Sequence, residues 1–332
     1  MNLFKKTNGF SPILLTCMVF VFACNLPSSA SPPTPDLIAT LAAATPLTVD
    51  PPPASNPAGE PTGKIAFTCQ IFKARASNQI CLINADGTNF RRLTTDNTKQ
   101  HYYPSVSPDG KSAVYAAFRE PGIYEIYEIE IESGVVRQLS DRIGNVNGPE
   151  ISPDGAMIAF KLSTANSNQI WLMNRDGSNP HPIPNASGWD PTWSPDGSSI
   201  LFASDMQGAI QLFRIKLDGS ELQRISDLPA IRGRSDWSPD GQFIVTYSGQ
   251  PWNREVFIMN ADGSNARVLS PTGGNSQGPS ISPDGRWVAF TSYFEHYGDD
   301  HGCEIYIMRV DGSDVRRLTN NDYCDYQPRW GP

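Results

Sequence analysis

Short apolar runs separated by turns recur along the chain from Gly63 onward, and the same order of runs returns every 42 to 45 residues. The stretch GPSISPDGRWVAFTSY, then a loop, then EIYIMRVDGSDVRRLT (278–319) shows four of these runs in one copy. The first two are joined by Ser-Pro-Asp-Gly, which stands at Ser107 to Gly110, Ser152 to Gly155, Ser194 to Gly197, Ser238 to Gly241 and Ser282 to Gly285. Proline presets the turn dihedral, aspartate bonds downstream amides, and glycine takes a left-handed conformation at little cost, so each phrase predicts a hairpin. The third run is apolar at nearly every position, as in QIWLMN (169–174), EVFIMN (255–260) and EIYIMRV (304–310), which predicts a strand buried on both faces. It leads into a second turn, usually Asp-Gly, with Glu132-Ser133-Gly134 as the variant. The fourth run alternates and carries arginine, as in FRRLT (90–94), LQRIS (222–226) and VRRLT (315–319), which suits an outer edge that resists pairing with other chains.

A repeat of this period is one supersecondary unit that buries its apolar faces only against its neighbours. Four antiparallel strands with buried inner members and a charged outer edge describe a propeller blade. Complete units begin at Tyr103, Pro149, Pro191, Ser235 and Pro279, which gives five blades. The ends supply a sixth. GKIAFTC (63–69) matches a second strand and lacks a first, whereas YQPRWGP (326–332) matches a first strand and lacks everything after it. The expected fold is therefore an all-β, six-bladed β-propeller over residues 63–332, closed by Tyr326–Gly331 as the innermost strand of the blade begun at Lys64.

Upstream, Met1–Ala23 reads as an export signal, with Lys5 and Lys6 before a short apolar segment. Val21-Phe22-Ala23-Cys24 resembles a bacterial lipobox, although Phe22 replaces the usual small residue, and Cys24 is the expected site of lipidation. Residues 24–62 are rich in Pro, Ala, Ser and Thr and predict a flexible tether. A folded head exported to the cell envelope and held to a membrane by its lipid alone follows from that order. In this setting Cys69, Cys81, Cys303 and Cys324 read as two disulfides with three possible connectivities. Strand placement favours Cys69 with Cys81 and Cys303 with Cys324, with Cys69 to Cys324 as the alternative and free thiols as the bland reading.

The phrases P-x-W-S-P-D-G (191–197), I-M-N-A-D-G-S-N (258–265) and V-R-R-L-T (315–319) resemble the propeller repeats of the TolB family, whose namesake is the periplasmic component of the Tol-Pal envelope system. The same repeat type occurs in the propellers of prolyl oligopeptidase-like enzymes and some envelope lyases. The resemblance implies the fold over about 63–332. It implies little about chemistry, since one fold hosts many functions. TolB also carries an amino-terminal α/β domain where this chain has its tether.

Candidate chemistry is sparse. There is no G-x-S-x-G elbow, phosphate loop, dinucleotide fingerprint or C-x-x-C pair, and no cofactor is implied. A net charge of −8 with dispersed arginines argues against nucleic acid as partner. The aspartates of Ser-Pro-Asp-Gly recur because every blade needs the same turn. One long loop, 294–303, holds Glu295, His296, Asp299, Asp300 and His301, and His101 is expected on the same face, so His101, His296 and His301 are the candidate metal ligands. The positions that differ from blade to blade lie where each outer strand crosses to the next inner one: Tyr102, Tyr103, Asn147, Glu150, Trp189, Asp190, Arg232, Arg234, Gln277, Tyr323, Asp325 and Tyr326. They are expected to ring the channel mouth and to mix aromatic anchors with both signs of charge, as a recognition surface does. The leading expectation is a non-catalytic head that binds a protein or glycan of the envelope. The alternative is an envelope enzyme of the polysaccharide lyase or hydrolase type with its site at the same mouth, metal-dependent through those histidines.

Overall fold

Each Ser-Pro-Asp-Gly phrase closes a tight turn in the computed structural model, which describes residues 59–71, 77–165 and 167–332. In all five copies the glycine amide donates to the serine carbonyl at 2.8–2.9 Å, with glycine φ between 67° and 74°. The serine hydroxyl donates to aspartate Oδ1 at 2.5–2.6 Å. The same hydroxyl oxygen accepts the amide five residues on, at 2.9–3.0 Å. The serine hydroxyl, the glycine amide and aspartate Oδ1 are thus spent inside their own turn. The five aspartates are turn formers.

The strands assemble into six four-stranded antiparallel sheets, and no helix occurs among the described residues. Blade 1 runs from the inside out as Asp325–Gly331, Lys64–Gln70, Asn78–Asn84 and Arg91–Arg92. The C-terminal strand pairs antiparallel with the first described strand, from Lys64 opposite Gly331 to Cys69 opposite Asp325, which closes the ring. Blade 2 starts at His101–Val106, blade 3 at Asn145–Ile151, blade 4 at Trp189–Trp193, blade 5 at Asp236–Trp237 and blade 6 at Gln277–Ile281. Four of these begin a few residues before the expected positions because each innermost strand carries a bulge. At the bulge, Gln327, Tyr103, Gly148, Asp190 and Gly278 take left-handed φ of 52° to 61°, and each is followed by proline. Blade 5 has Arg234-Ser235 there, without the left-handed residue, and its first strand shrinks to two residues.

The third strands are less uniformly buried than their sequences predict. Glu304–Arg309 is buried at all but its last position, whereas Trp171 in blade 3 and Phe257 in blade 5 are half-buried. Blades diverge with distance from the axis, so neighbouring sheets cover third strands only in part. The outer strands pair over two or three residues, except in blade 3, where His181–Ser187 is longer. What fastens them, in every blade but the third, is a latch at the end of the fourth run. The hydroxyl of Thr94, Ser140, Ser226, Ser270 or Thr319 donates to Gln79, Glu125, Gln211, Glu255 or Glu304 on the third strand at 2.5–2.8 Å. The same oxygen accepts the amide that follows that acid or amide side chain, at 2.8–3.0 Å. Several arginines of these edges engage nearby carboxylates, as Arg91 does with Glu132 of blade 2 at 2.7 Å.

The core lies in the seams between blades. At the rim nearest the Ser-Pro-Asp-Gly turns, Met157 and Leu217 pack against the core between blades 3 and 4, and Phe243 and Val310 pack against the core between blades 5 and 6. Arg175 of blade 3 crosses to Ser112 and Glu128 of blade 2. Trp287 fills the seam between blades 6 and 1, under the guanidinium groups of Arg309 and Arg316 at 4.4 and 4.9 Å from its ring. Turn glycines press close here: a Cβ on Gly263 would lie 1.7 Å from the Ile225 carbonyl oxygen. Disulfides join Cys69 to Cys81 across one hairpin and Cys303 to Cys324 beside the closing strand, the favoured pairing. The head also reaches further upstream than Gly63: Pro61 is buried, and Gly59, Glu60 and Thr62 contact Arg309, Arg316 and Trp330. The export signal, Cys24 and the rest of the tether lie outside the described residues.

Candidate channel-mouth site

Each innermost strand runs from the channel mouth toward its Ser-Pro-Asp-Gly turn, so positions counted back from the turn serine form rings around the axis. Two residues before it stand Ser105, Glu150, Thr192, Asp236 and Ser280, and Arg329 takes this place in blade 1. Arg329 reaches across the channel from blade 1 to Glu150 at 2.9 Å, to Asp236 at 3.2 Å and to Thr192 Oγ1 at 3.2 Å. It is 4% exposed. Burial alone would lower its pKa, but Glu150 and Asp236 outweigh that and raise it, so the cation is held firmly. Burial pushes the Glu150 carboxyl up despite Arg329. Arg234 spans the axis as well, from blade 5 to the Pro104 carbonyl of blade 2 at 3.2 Å. The two arginines form a plug across the channel.

The mouth is built from the bulges. Tyr103 and Asp190 hold left-handed φ values of 56° and 52°, at positions where blades 3 and 6 use glycine. Non-glycine residues in this region cost about 1–3 kcal/mol each and persist where the surroundings enforce them. Gln327, in the same conformation, accepts from the Tyr103 amide at 3.0 Å and from Thr68 Oγ1 at 2.9 Å. The Arg234 guanidinium lies 5.7 Å from the Tyr103 ring centre, and the Arg234 amide donates to Asp190 Oδ2 at 3.1 Å. Gly233 permits that approach, since a Cβ there would lie 2.3 Å from Asp190 Oδ2. Burial, and then the Asp190 charge, push the Tyr103 and Tyr247 hydroxyls up, Tyr247 to about 12, so both stay neutral donors. Burial lowers the Lys161 pKa, against the attraction of Asp190.

One side of the mouth is aromatic. Tyr102 lies 5.8 Å from Tyr124, 6.0 Å from Phe118, 6.3 Å from Tyr103 and 6.5 Å from Tyr326, ring centre to ring centre. Asn78 ties this cluster together, donating to the Tyr102 hydroxyl at 2.8 Å and accepting from the Tyr326 hydroxyl at 2.9 Å. Trp189 is half-buried against the seam between blades 4 and 5. Arg232 donates to the Gly249 carbonyl at 3.2 Å, Gln277 accepts from Arg254 at 2.5 Å, and Asn147 pairs in register with Lys161.

The expected residues are thus only partly gathered. Tyr102, Tyr103, Tyr326, Asp190 and Arg234 form one contiguous constellation, whereas Glu150 lies in the plug beneath it. Tyr323 sits in the loop after blade 6, its amide on Asn321 Oδ1. Asp325 is 1% exposed and presents nothing to the mouth. Its Oδ2 accepts from Asn321 at 2.8 Å, its Oδ1 has no partner, and burial followed by the nearby Glu304 charge raises its pKa to about 8. An unfolded aspartate titrates near 3.9, so between about pH 4 and pH 8 the native state binds the extra proton and stability falls as pH rises. Asp325→Asn is expected to leave stability near pH 4 almost unchanged and to flatten the decline toward pH 8, which thermal melts across that window check.

The histidines stand apart. His101 is buried, with Nδ1 3.2 Å from the Asn78 carbonyl and its pKa lowered by burial. His301 Nδ1 lies 2.9 Å from Gln70 Oε1, and His296 is exposed. Among the described residues, no group of three or more His, Cys, Asp or Glu side chains is placed to hold a metal ion. Sequence reading missed Asn78, Gln327, Arg329 and Tyr247. A signal for Arg329 was present: with the copies aligned on their turns, it falls in register with the small Ser105, Thr192 and Ser280.

Comparison with known proteins places this architecture. A stretch of 149 residues is 34% identical to an uncharacterised protein of Agrobacterium fabrum, covering 41% of this chain and 50% of that protein. Another of 125 residues is 29% identical to the Tol-Pal system protein TolB of Anaeromyxobacter dehalogenans, covering 37% of this chain and 28% of the relative. The chain therefore spans half or less of the length of these curated relatives. The crystal structure of TolB from Acinetobacter baumannii superposes with a TM-score of 0.71 at 23% identity, covering 82% of this chain and 68% of that one, a likeness of fold. The TolB beta propeller domain matches residues 58–332, the whole of the six-bladed head together with the short segment that packs onto it, and the chain belongs to that family.

Proposed function

We propose that this propeller is a non-catalytic binding head of the cell envelope, held to a membrane through Cys24 and recognising a protein partner at the channel mouth. The observation that carries the reading is the strained pair Tyr103 and Asp190. Their left-handed backbones are stabilised by Gln327, Arg234 and Gly233, and this fixes an aromatic ring and a carboxylate on either side of Arg234 at the channel mouth. Strain of this kind is retained where it positions groups for a ligand. Half-buried tyrosines and a tryptophan beside fixed charges have the composition of binding hot spots. The similarity to Tol-Pal system proteins supports a protein partner in the envelope over a glycan.

Affinity capture from envelope extract of the source organism tests the reading. Trp189→Ala and Tyr102→Ala are each expected to weaken partner retention at least tenfold, the usual scale for an aromatic anchor, while the fold is kept. Retention unchanged in both variants, or turnover of a uronate or glycan that His296→Ala abolishes, would overturn it.

A further inference from the structure

A cavity of about 270 Å³ opens on the flank of the ring, in the seam between blades 1 and 2, lined by Leu93, His101, Tyr115, Ala117, Tyr127 and Val136 among others. The crossing from blade 2 to blade 3 lays Ile143 against its seam, and the crossing from blade 4 to blade 5 buries Leu228 in the same way. The crossing from blade 1 to blade 2, Thr94 to Gln100, has no apolar residue to do this. Two positions that are apolar elsewhere are also polar here. His101 stands where blade 3 has the buried Val146, and Tyr115 stands where blades 1, 3, 4 and 6 have Phe67, Phe160, Phe202 and Phe290.

His101 is 4% exposed and Tyr115 is 2% exposed. His101 Nδ1 lies 3.2 Å from the Asn78 carbonyl, so Nδ1 carries the ring hydrogen, and burial lowers the pKa, which keeps the ring neutral. Nε2 is then a bare acceptor. Neither Nε2 nor the Tyr115 hydroxyl has a hydrogen-bond partner among the described residues, and both keep access to the cavity. Buried polar groups of this kind are costly unless something pairs with them.

The Tyr115 and Tyr127 rings stack 5.9 Å apart at an inclination of 20°, and the His101 ring lies 5.6 Å from Tyr115, so the walls are flat and aromatic. Lys99 holds its ammonium 5.7 Å from the Tyr127 ring centre, and Asp96 lies 3.9 Å from that ammonium. The rim therefore carries both signs of charge and favours neither. What fits is a neutral, flat ring bearing a hydrogen-bond donor. The volume falls below the roughly 300–1,000 Å³ usual for small-molecule pockets, which suits a single side chain. Val136 on the wall and the adjoining Val135 are 51% and 59% exposed, an apolar rim for the rest of a chain to cover.

We infer that this cavity is a second docking site, which takes a tyrosine side chain of a partner protein: its hydroxyl donates to His101 Nε2, its oxygen accepts from the Tyr115 hydroxyl, and its ring lies along Tyr127. None of the mouth constellation lines the cavity, so the inference does not rest on the mouth.

The probe is p-cresol, the tyrosine side chain as a free molecule, titrated into the full chain with isotope-labelled histidine while the His101 Nε2 resonance is followed. The expected result is a saturable shift of that resonance at millimolar p-cresol or below. Toluene, which lacks the hydroxyl, is expected to bind about fivefold more weakly by saturation-transfer NMR, the scale of one hydrogen bond. N-acetyltyrosinamide, the same ring on a peptide backbone, is expected to bind at least as tightly as p-cresol. His101→Val copies blade 3 and Tyr115→Phe copies the other blades, so the double variant is expected to keep or raise the melting temperature and to bind p-cresol and toluene equally. No shift at millimolar p-cresol, no preference over toluene, or a folded double variant that keeps the preference would overturn the inference. Binding of p-cresol with exclusion of N-acetyltyrosinamide would overturn a protein as the source of the ring.

Discussion

Removal of Asp325–Pro332 is expected to abolish cooperative folding of the head. The segment supplies the innermost strand of blade 1, in register with Lys64–Gln70, and its loss opens the ring. It also removes Trp330, 8% exposed and packed with Ile65, Phe67 and Trp287, a truncation of the kind that costs about 3–5 kcal/mol on its own. Arg329 leaves with it, and so does Gln327, which fixes the Tyr103 backbone. Together these losses approach the whole stability of a typical domain, about 5–15 kcal/mol. The expected chain has no sharp thermal transition and is cut quickly by protease. A truncated protein that melts like the intact one and resists protease equally would refute closure by this strand.

The second large effect is expected from Arg329→Met. A linear apolar side chain fills much of the volume but leaves the largely buried Glu150 and Asp236 without the cation that bridges them. Breaking a buried ion network by removing one partner costs about 3–5 kcal/mol, because the remaining charges keep their desolvation penalty. For a domain of this size that corresponds to a fall in melting temperature of roughly 10 °C. Glu150→Gln with Asp236→Asn in the Arg329→Met background removes the stranded charges and is expected to recover part of the loss. Calorimetry on the three proteins reads both effects. A single variant as stable as the parent would show that Arg329 contributes packing alone.

The fold was legible because its information is local and repeated. Five copies of one turn set the period, and the mismatched ends at Lys64 and Tyr326 revealed the closure, since each lacked what the other supplied. Strand order favoured the disulfide pairing that the structure has, without excluding Cys69 with Cys324. The bulges were less visible: they shift the inner strands by a few residues, and only proline after a left-handed residue marks them. The latch of Thr or Ser onto Gln or Glu was hidden because its members lie about fifteen residues apart on different strands, and arginines drew attention to the same runs.

The mouth was harder still. Variable positions could be named by exclusion, but depth along the channel is a property of the assembled ring. Glu150 and Asp325 vary as freely as Tyr103, yet one lies in the plug and the other against the core. Arg329 looked like part of a closing strand because nothing in its neighbourhood announces partners on blades 3 and 5.

The closing strand also governs when the protein becomes itself. Lys64 and Gly331 are paired neighbours at opposite ends of the head, so blade 1 keeps an unpaired inner edge until the last strand of the head has emerged. A chain delivered from its N-terminal end can form blades 2 to 6 one after another, but the ring waits for Asp325–Gly331, and contacts of such long range form slowly. During that interval the inner edge of Lys64–Gln70 is the strand most open to pairing with another molecule. Arrival of the closing strand is therefore the step that ends its vulnerability, and a chaperone acting on this protein would do most good by shielding Lys64–Gln70 until Asp325–Gly331 arrives.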